Sequence, residues 1–332
     1  MSQRRGRPAG AFFDSFRTAA ARLPAGLIRV MPPAAPEDMS RAESALGRPL
    51  PDDYASFVRS FDGADLFHES VIIAGVGPHA ARSLLDFDRT PYPPALLPFA
   101  ESIAGDVFLL DERGRVLRHD PGTDERALAG STFARWLDAT VARERLLFGP
   151  DGEYAPDVFD PAGQEVLPAV ALRQAERALK LDPGSADAAH ARGTALLRLE
   201  RRPEAALAFR AAAELEPESA WPWFDLGRVL LDLDDAPGAL EAFRRAARAD
   251  ASLAGARLLA WAARAAVAAG DDAAAEALRA DALAREPALV EELERSAHAS
   301  AQDGDAAAEA EAIALREAIA PGRPRPRRLR LV

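Results

Sequence analysis

The stretch "ADAAHARGTALLRLERRPEAALAFRAAAELEP", residues 186–217, decides the fold of the C-terminal half because its spacing recurs along the chain. Prolines at positions 183 and 217 are 34 residues apart, as are those at 287 and 321, and the gap between these pairs is 70 residues. Three further pairs share the 34-residue separation: Gly193 with Gly227, Ala205 with Ala239, and Phe209 with Phe243. This period is typical of stacked helix pairs.

The order of residues within each period explains how such pairs pack. Two crossing helices need a small residue where their backbones approach and a large residue beside it, which Gly193, Ala205 and Phe209 supply. One pair cannot bury its apolar face alone, so the pairs stack. The pattern resembles the tetratricopeptide repeat over residues 186–217 and 220–251. We expect a lone second helix at 170–183, two clear repeats, and degenerate repeats at 253–287 and 288–321, with a two-residue insertion near 268–272.

Such solenoids bind partners in a concave groove lined mainly by the first helix of each pair. The resemblance places His190 and Thr194 in that groove for the first repeat, and Phe224 and Arg228 for the second. Of these four candidates only Arg228 has the basic or asparagine character of repeats that grip a C-terminal carboxylate, so we do not expect that ligand.

The N-terminal half contains a second informative stretch, "LGRPLPDDYASFVRSFDGAD", residues 46–65. Pro51 fits the first turn of a helix, and Asp52 and Asp53 then meet the positive end of the helix dipole. Four apolar residues follow with helical spacing: Tyr54, Phe57, Val58 and Phe61. We expect Gly63 to end this helix, and we interpret both aspartates as structural and not catalytic.

The surrounding patterns complete an α+β domain. Residues 35–47 and 131–145 predict helices, the latter capped by Ser131 or Thr132, and three β-rich runs lie at 70–77, 105–114 and 115–120. The predicted fold class is an α+β domain, an antiparallel sheet with flanking helices, followed by an all-α tetratricopeptide-type solenoid. The predicted segments are a basic, partly helical N-terminus, the α+β domain, a linker, the solenoid and a disordered basic tail: 1–34, 35–150, 151–168, 169–321 and 322–332.

Three stretches of the α+β domain together resemble the SUKH superfamily of bacterial immunity proteins and cell-wall-regulator relatives. They are "LGRPLPDDYASFVRSFDG" (46–63), "GDVFLLD" (105–111) and "LAGSTFARWLDA" (128–139). The chain departs from the family where Asp62, Gly63 and Ala64 replace the usual Asn-Gly-Gly. The resemblance implies a protein-binding module, because many SUKH proteins neutralise a toxin, often a nuclease, by binding it.

The charge distribution fits either a basic protein partner or a role in solubility alone. Residues 36–160 hold 12 Arg and 23 Asp or Glu, a net charge of −11, whereas residues 1–35 and 321–332 are each net +5. An acidic body repels nucleic acid and attracts basic proteins. The candidate contact residues in this domain are the acids outside helix starts: Asp62, Asp65, Glu69, Asp86, Asp88 and Asp106.

Motifs for catalysis are missing from the sequence. It has no Cys, its five His residues lack metal-ligand spacing, and it has no phosphate-binding loop or nucleophile elbow. We therefore predict no catalytic residue, metal or cofactor; a hydrolase built on His68 and Ser70 is the enzymatic alternative.

The prediction is a non-enzymatic protein-binding protein of the bacterial cytoplasm, with toxin immunity as its leading interpretation and a basic toxin domain as a candidate partner. The alternative is a tetratricopeptide scaffold that assembles a complex, with the SUKH-like domain in a supporting role. We expect no nucleic acid and no membrane span. The oligomeric state stays open.

Overall fold

The computed structural model describes residues 13–249 and 254–322, which form two compact units, one ending at Leu199 and one beginning at Glu200. Residues 1–12, in the predicted basic N-terminus, and 323–332, in the predicted basic tail, lie outside the described part. Among the described residues, no helix has both the length and the apolar character needed to cross a bilayer.

The first unit is built around a seven-stranded antiparallel sheet whose strands pair in chain order. The strands are β1 (Ile28–Val30), β2 (Ala64–Leu66), β3 (Val71–Ile73), β4 (Leu97–Ser102), β5 (Val107–Leu110), β6 (Val116–Asp120) and β7 (Glu125–Gly130). The β-rich runs at 105–114 and 115–120 form a hairpin in which Leu110 of β5 lies opposite Val116 of β6. β6 and β7 slip register between Val116 and Leu117, which leaves Ala129 as an extra residue in a bulge.

Four helices accompany the sheet: α1 (Asp14–Arg22), α2 (Pro36–Leu46), α3 (Asp52–Val58) and α4 (Phe133–Glu144). α4 begins at the predicted cap, because the Thr132 hydroxyl accepts the Arg135 N–H. The core between helices and sheet is aromatic: Tyr54, Phe57, Phe99 and Trp136 surround Phe133 with ring centroids 5.2–5.8 Å away.

The stretch at residues 46–65 is helical where expected but ends earlier. The helix stops at Val58, so the expectation that it reaches Gly63 was wrong. Glycine is needed at position 63 because another backbone segment lies close to it. Gly63 has φ +94°, and a Cβ there would lie 2.7 Å from the Ile73 carbonyl oxygen. Phe61 is buried although it lies beyond the helix. Strands β1, β2, β4 and β7 were not predicted.

The predicted linker, 151–168, is part of the first unit and packs against its core. Val158 is buried in the aromatic core, and Phe159 and Val166 pack against it and pair with each other as an isolated β-bridge. The next two helices, α5 (Pro168–Leu181) and α6 (Ala186–Arg198), also belong to this unit. The compact units therefore divide after Leu199 and not at the predicted linker.

Buried polar contacts join α5 and α6 to the sheet. Asp182, fully buried in the turn between them, accepts hydrogen bonds at 2.7 Å from both the backbone N–H and the hydroxyl of Ser131. The Ser185 hydroxyl donates to the carbonyl of Ala129 at 2.9 Å, which satisfies the bulged residue of β7. The start of the repeat array is thus fixed to the edge of the sheet.

The helices of the second unit confirm the predicted solenoid. They are α7 (Arg202–Leu215), α8 (Ala220–Asp232), α9 (Ala236–Ala249), α10 (Ala254–Ala268), α11 (Asp272–Arg285), α12 (Leu289–Asp303) and α13 (Ala306–Ile319). α7 and α9 begin 34 residues apart, whereas α9 and α11 begin 36 apart. α10 has 15 residues where α8 has 13, so the two-residue insertion lengthens a helix.

The packing of α8 on α9 follows the small-beside-large rule expected from the repeat. Gly227 of α8 faces Phe243 of α9 so closely that a Cβ would lie 2.7–2.8 Å from the phenyl ring. Phe243 is fully buried, and Ala239 and Ala246 lie buried on the same helix. Only glycine fits at position 227 without displacing the ring.

Candidate protein-binding surfaces

Two of the six candidate carboxylates, Asp62 and Asp65, are buried and stabilise loops. Asp62 accepts the backbone N–H of Val76 at 2.6 Å and of Gly77 at 2.9 Å. Burial raises the pKa of Asp62, and these two hydrogen bonds oppose that shift. Asp65 pairs with Arg29, whose Nε lies 2.9 Å from the carboxylate. At 2 % and 3 % exposure, neither fits the expectation of a surface contact.

Glu69 is exposed at the end of an unusual turn. Phe67, His68 and Glu69 all have positive φ, at 54°, 55° and 68°, a conformation that costs energy for residues other than glycine. Asp65 compensates by accepting the Glu69 N–H at 2.8 Å, and Phe67 is buried against Phe148 with ring centroids 5.3 Å apart. The turn therefore presents His68 and Glu69 to solvent on a fixed backbone.

Asp86 and Asp88 lie on the exposed side of the loop between β3 and β4. Asp86 ends a short 3-10 helix, Leu84–Asp86. Asp88 accepts both the hydroxyl and the N–H of Thr90, at 2.6 and 2.9 Å, and these bonds lower the pKa of Asp88. Both carboxylates are therefore accessible to a partner.

Asp106 takes part in an ion-pair network instead of standing free. Arg118 of β6 pairs with Asp106 at 3.1 Å and with Asp187 of α6 at 3.0 Å. Burial opposes the charge of Arg118, but the two carboxylates outweigh it and raise its pKa. The sequence did not indicate Arg118 or Asp187, because these partners are separated by 69 positions.

A cleft of about 590 Å³ lies where α3 begins, between Arg48, Asp53, Glu112, Arg113 and Thr132. Burial, and secondarily the charge of Asp52, raise the pKa of Asp53. Both aspartates lie in the first turn of α3, as predicted. The cleft brings together charges of both signs from α3 and the β5–β6 turn, and no motif in the sequence indicates it.

The four predicted groove residues are divided between the units. In the first unit, His190 is half-buried on α6 and Thr194 is exposed, its hydroxyl donating to the His190 carbonyl at 3.3 Å. In the second unit, Phe224 and Arg228 lie on α8.

An aromatic cluster surrounds Phe224 and Arg228. The Phe224 ring lies 5.9 Å from Trp221 and 5.7 Å from Trp261, and Trp221 is 47 % exposed. The guanidinium of Arg228 lies 5.8 Å from the Phe224 ring centroid and 5.7 Å from that of Trp261, and Arg264 lies 4.9 Å from Trp261. Of the rings beside these arginines, Phe224 is half-buried and Trp261 is buried. Arginine and aromatic side chains are enriched at protein-binding surfaces.

Comparison with protein-family models identifies the N-terminal part of the chain. Residues 33–139 match the model of the SMI1 / KNR4 family (SUKH-1). These residues form a SUKH-1 domain. The match covers about a third of the chain, and it includes all three stretches on which the resemblance rested. A comparison with curated proteins found no match.

Solved structures similar to the chain align with its C-terminal helices. YrrB, described as a TPR protein with an unusual peptide-binding site, is 21 % identical over 47 % of this chain and 79 % of its own, with a TM-score of 0.33. A MamA protein is 18 % identical over 46 % and 80 %, with a TM-score of 0.34. MamA 41-end from Desulfovibrio magneticus RS-1 is 19 % identical over 46 % and 85 %, with a TM-score of 0.32.

His68 and Ser70, the residues of the hydrolase alternative, have different bonding partners. Ser70 Oγ donates to the Phe67 carbonyl at 2.8 Å, and His68 Nε2 lies 3.4 Å from the Gly152 carbonyl. Within residues 13–249 and 254–322, no three His, Asp or Glu side chains converge as a metal site would require. The family match over residues 33–139 supports a role in protein interaction.

Proposed function

We propose that this protein is a non-enzymatic binding protein of the bacterial cytoplasm whose SUKH-1 domain neutralises a basic toxin domain by covering it. The observation that carries this proposal is the net charge of −11 over residues 36–160. Long-range attraction to a basic partner would speed encounter, and a bound acidic domain would mask the surface with which a nuclease holds nucleic acid.

Only some of the candidate acids on the SUKH-1 domain are accessible to a partner, and these define the proposed contact surface. Glu69, Asp86 and Asp88 are exposed, whereas Asp62 and Asp65 are buried and Asp106 is engaged by Arg118. We therefore assign the contact to the turn after β2 and the loop between β3 and β4.

The test begins with capture of a partner on the immobilised full chain and its identification by mass spectrometry. The purified partner is then titrated with the chain at about 50 and 200 mM salt. An electrostatic complex should weaken markedly across that range. Co-expression should also protect cells from the partner's toxicity. A partner without basic character, or binding that ignores salt, would contradict the toxin-immunity assignment.

Charge reversal locates the surface. Asp86→Arg with Asp88→Arg should weaken binding at least tenfold, because it replaces attraction by repulsion at two exposed positions. The matched control is Glu214→Arg with Glu218→Arg, which makes the same charge change at exposed positions of the second unit. Equal losses for both pairs would mean that net charge alone matters and would refute the assigned surface.

A second candidate function rests on the aromatic cluster of the solenoid. A scaffold would capture its partner through Trp221, Phe224 and Arg228. Trp221 is 47 % exposed and meets Phe224 edge to face, and the Arg228 guanidinium lies 5.8 Å from the Phe224 centroid. Phe224→Ala should then abolish partner capture, while the Asp86 and Asp88 reversals should leave capture unchanged.

A further inference from the structure

The last helix pair departs from the packing of the rest of the second unit. From α7 to α11 each helix packs extensively against the next, but α12 makes few contacts with α11. Instead, α13 packs against α10 and also touches α11. α13 therefore takes the position that the first helix of another repeat would take.

The burial of α10, α12 and α13 agrees with this arrangement. α10 is buried on nearly all sides, because its many alanines allow α9, α11 and α13 to approach it. The second half of α13 is buried through Ala312, Leu315, Ala318 and Ile319. α12 is buried on one side only.

Three polar contacts between the α12–α13 hairpin and the repeats share one arrangement. Arg228 of α8 lies 3.7 Å from Glu311 of α13, and Arg257 of α10 lies 3.0 Å from Glu292 of α12. Arg279 of α11 donates to the carbonyl of Ala318 at 2.5 Å. In all three contacts the repeats supply the arginine and the hairpin supplies the acceptor.

The hairpin also has contacts of its own that would survive separation from the repeats. Arg316 of α13 is 4 % exposed and pairs with Glu294 of α12 at 3.2 Å. The turn that joins the hairpin to α11 is short, from Glu286 to Ala288. The hairpin is therefore held together by its own contacts and is joined to α11 by a short turn.

We propose that the α12–α13 hairpin occupies a binding face of its own solenoid, and that a partner helix rich in acidic residues, alanine and leucine displaces it. The face consists of Arg228, Arg257 and Arg279 with the aromatic rings beneath Arg228. The proposal rests on the scaffold function and names its regulation: α13, with sequence "AAAEAEAIALREAI", shows the chemistry that the face accepts.

The three arginines of this face explain why the proposed partner helix is acidic. An arginine whose guanidinium lies near an aromatic ring can still direct its N–H donors toward a carboxylate. Glu311 supplies that carboxylate in the closed form. A competing helix must supply at least one acid at the same place and two large apolar side chains in place of Leu315 and Ile319.

The experiment uses the full chain and a fluorescein-labelled peptide of residues 305–322, with binding followed by anisotropy. In the wild type the hairpin competes, so the peptide should bind weakly. Leu315→Ala in the chain loosens its own α13 and should tighten peptide binding at least tenfold, because affinity scales with the fraction of open face. Glu311→Arg leaves the apolar contacts intact and should tighten binding about two- to fivefold.

Charge exchange tests the contact itself. Arg228→Glu in the Leu315→Ala chain should weaken the native peptide about two- to fivefold, and a peptide carrying Glu311→Arg should restore binding. Arg210→Glu, an exposed arginine on α7, is the matched control and should change nothing. Circular dichroism verifies that each variant keeps its helices.

Three results would overturn the proposal. The first is equal peptide binding by the wild type, Leu315→Ala and Glu311→Arg chains, and the second is no peptide binding by any of these chains. The third is dimerisation of the Leu315→Ala chain without peptide binding. The last would mean that a second copy's hairpin fills the face. None of these results affects binding of a basic protein through Asp86 and Asp88, so the toxin-binding assignment is tested separately.

Discussion

Replacing Asp182 by alanine should destabilise the first unit more than any surface substitution. The side chain is fully buried and receives two hydrogen bonds of 2.7 Å from Ser131 and a third, of 3.2 Å, from the Gly184 N–H. Alanine removes the acceptor and leaves these donors facing a buried gap.

The expected cost follows from these contacts. Hydrogen bonds to a charged group contribute about 1.5–3 kcal/mol each, and an unpaired buried donor costs about 1–3 kcal/mol. The three bonds share one acceptor, so they do not add independently, and we expect a loss of about 3–4 kcal/mol. For a unit of this size that corresponds to a fall in Tm of roughly 6–16 °C.

Urea unfolding followed by circular dichroism measures the loss, and hydrogen exchange with mass spectrometry locates it. Peptides from β7 and α4 should exchange faster in the variant, while peptides from α10 to α13 should be unaffected. Asp182→Asn is the control: it keeps the volume and one acceptor oxygen and should cost about 1–2 kcal/mol. A loss below about 1 kcal/mol for Asp182→Ala, with unchanged exchange, would refute the role assigned to this carboxylate.

Three further changes test other parts of the molecule. Gly227→Ala drives a Cβ into the Phe243 ring, and this clash outweighs the gain in helix propensity. The free energy of unfolding measured in urea should fall by about 1–2 kcal/mol, and an unchanged value would contradict the packing. Arg118→Ala leaves two carboxylates without their partner and should cost about 2–3 kcal/mol by the same measurement, and less than 1 kcal/mol would argue against the ion-pair network. Burial and Asp52 raise the pKa of Asp53, so its ionised form is penalised in the folded state and the protein gains stability as pH falls through that pKa. Asp53→Asn should therefore be at least as stable as wild type at pH 7, with the difference shrinking on acidification, and a less stable variant at pH 7 would be the contrary result.

Repetition and aromatic spacing made much of the fold predictable. The 34-residue period located the helix pairs, and the spacing of Tyr54, Phe57 and Val58 identified the core side of α3. Strands β1 and β2 were missed because their three residues include Arg29 and Asp65, so neither forms the apolar run that revealed the equally short β3. The unusual packing of α13 was also missed, since a periodic sequence specifies local helix pairs but not which face the last pair covers.

The candidate surfaces were predicted less completely than the fold. Asp62 and Asp65 resemble surface acids in the sequence, because nothing local indicates their distant partners. Asp62 binds backbone N–H groups 14 and 15 positions later, and Asp65 pairs with an arginine 36 positions earlier. Burial of a charge depends on such long-range partners, which composition and spacing do not reveal. Exposed Asp86 and Asp88 lack such constraints and remain the strongest acidic candidates.

The way α5 and α6 attach to β7 determines where the chain can be cut. β7 is the terminal strand of the sheet, and the turn between these helices supplies the donor for its bulged carbonyl. A fragment ending near residue 150 would expose an unprotected strand edge, which invites pairing with other molecules and aggregation. A fragment ending at Leu199 would keep that edge covered, so studies of the SUKH-1 domain in isolation should retain both helices.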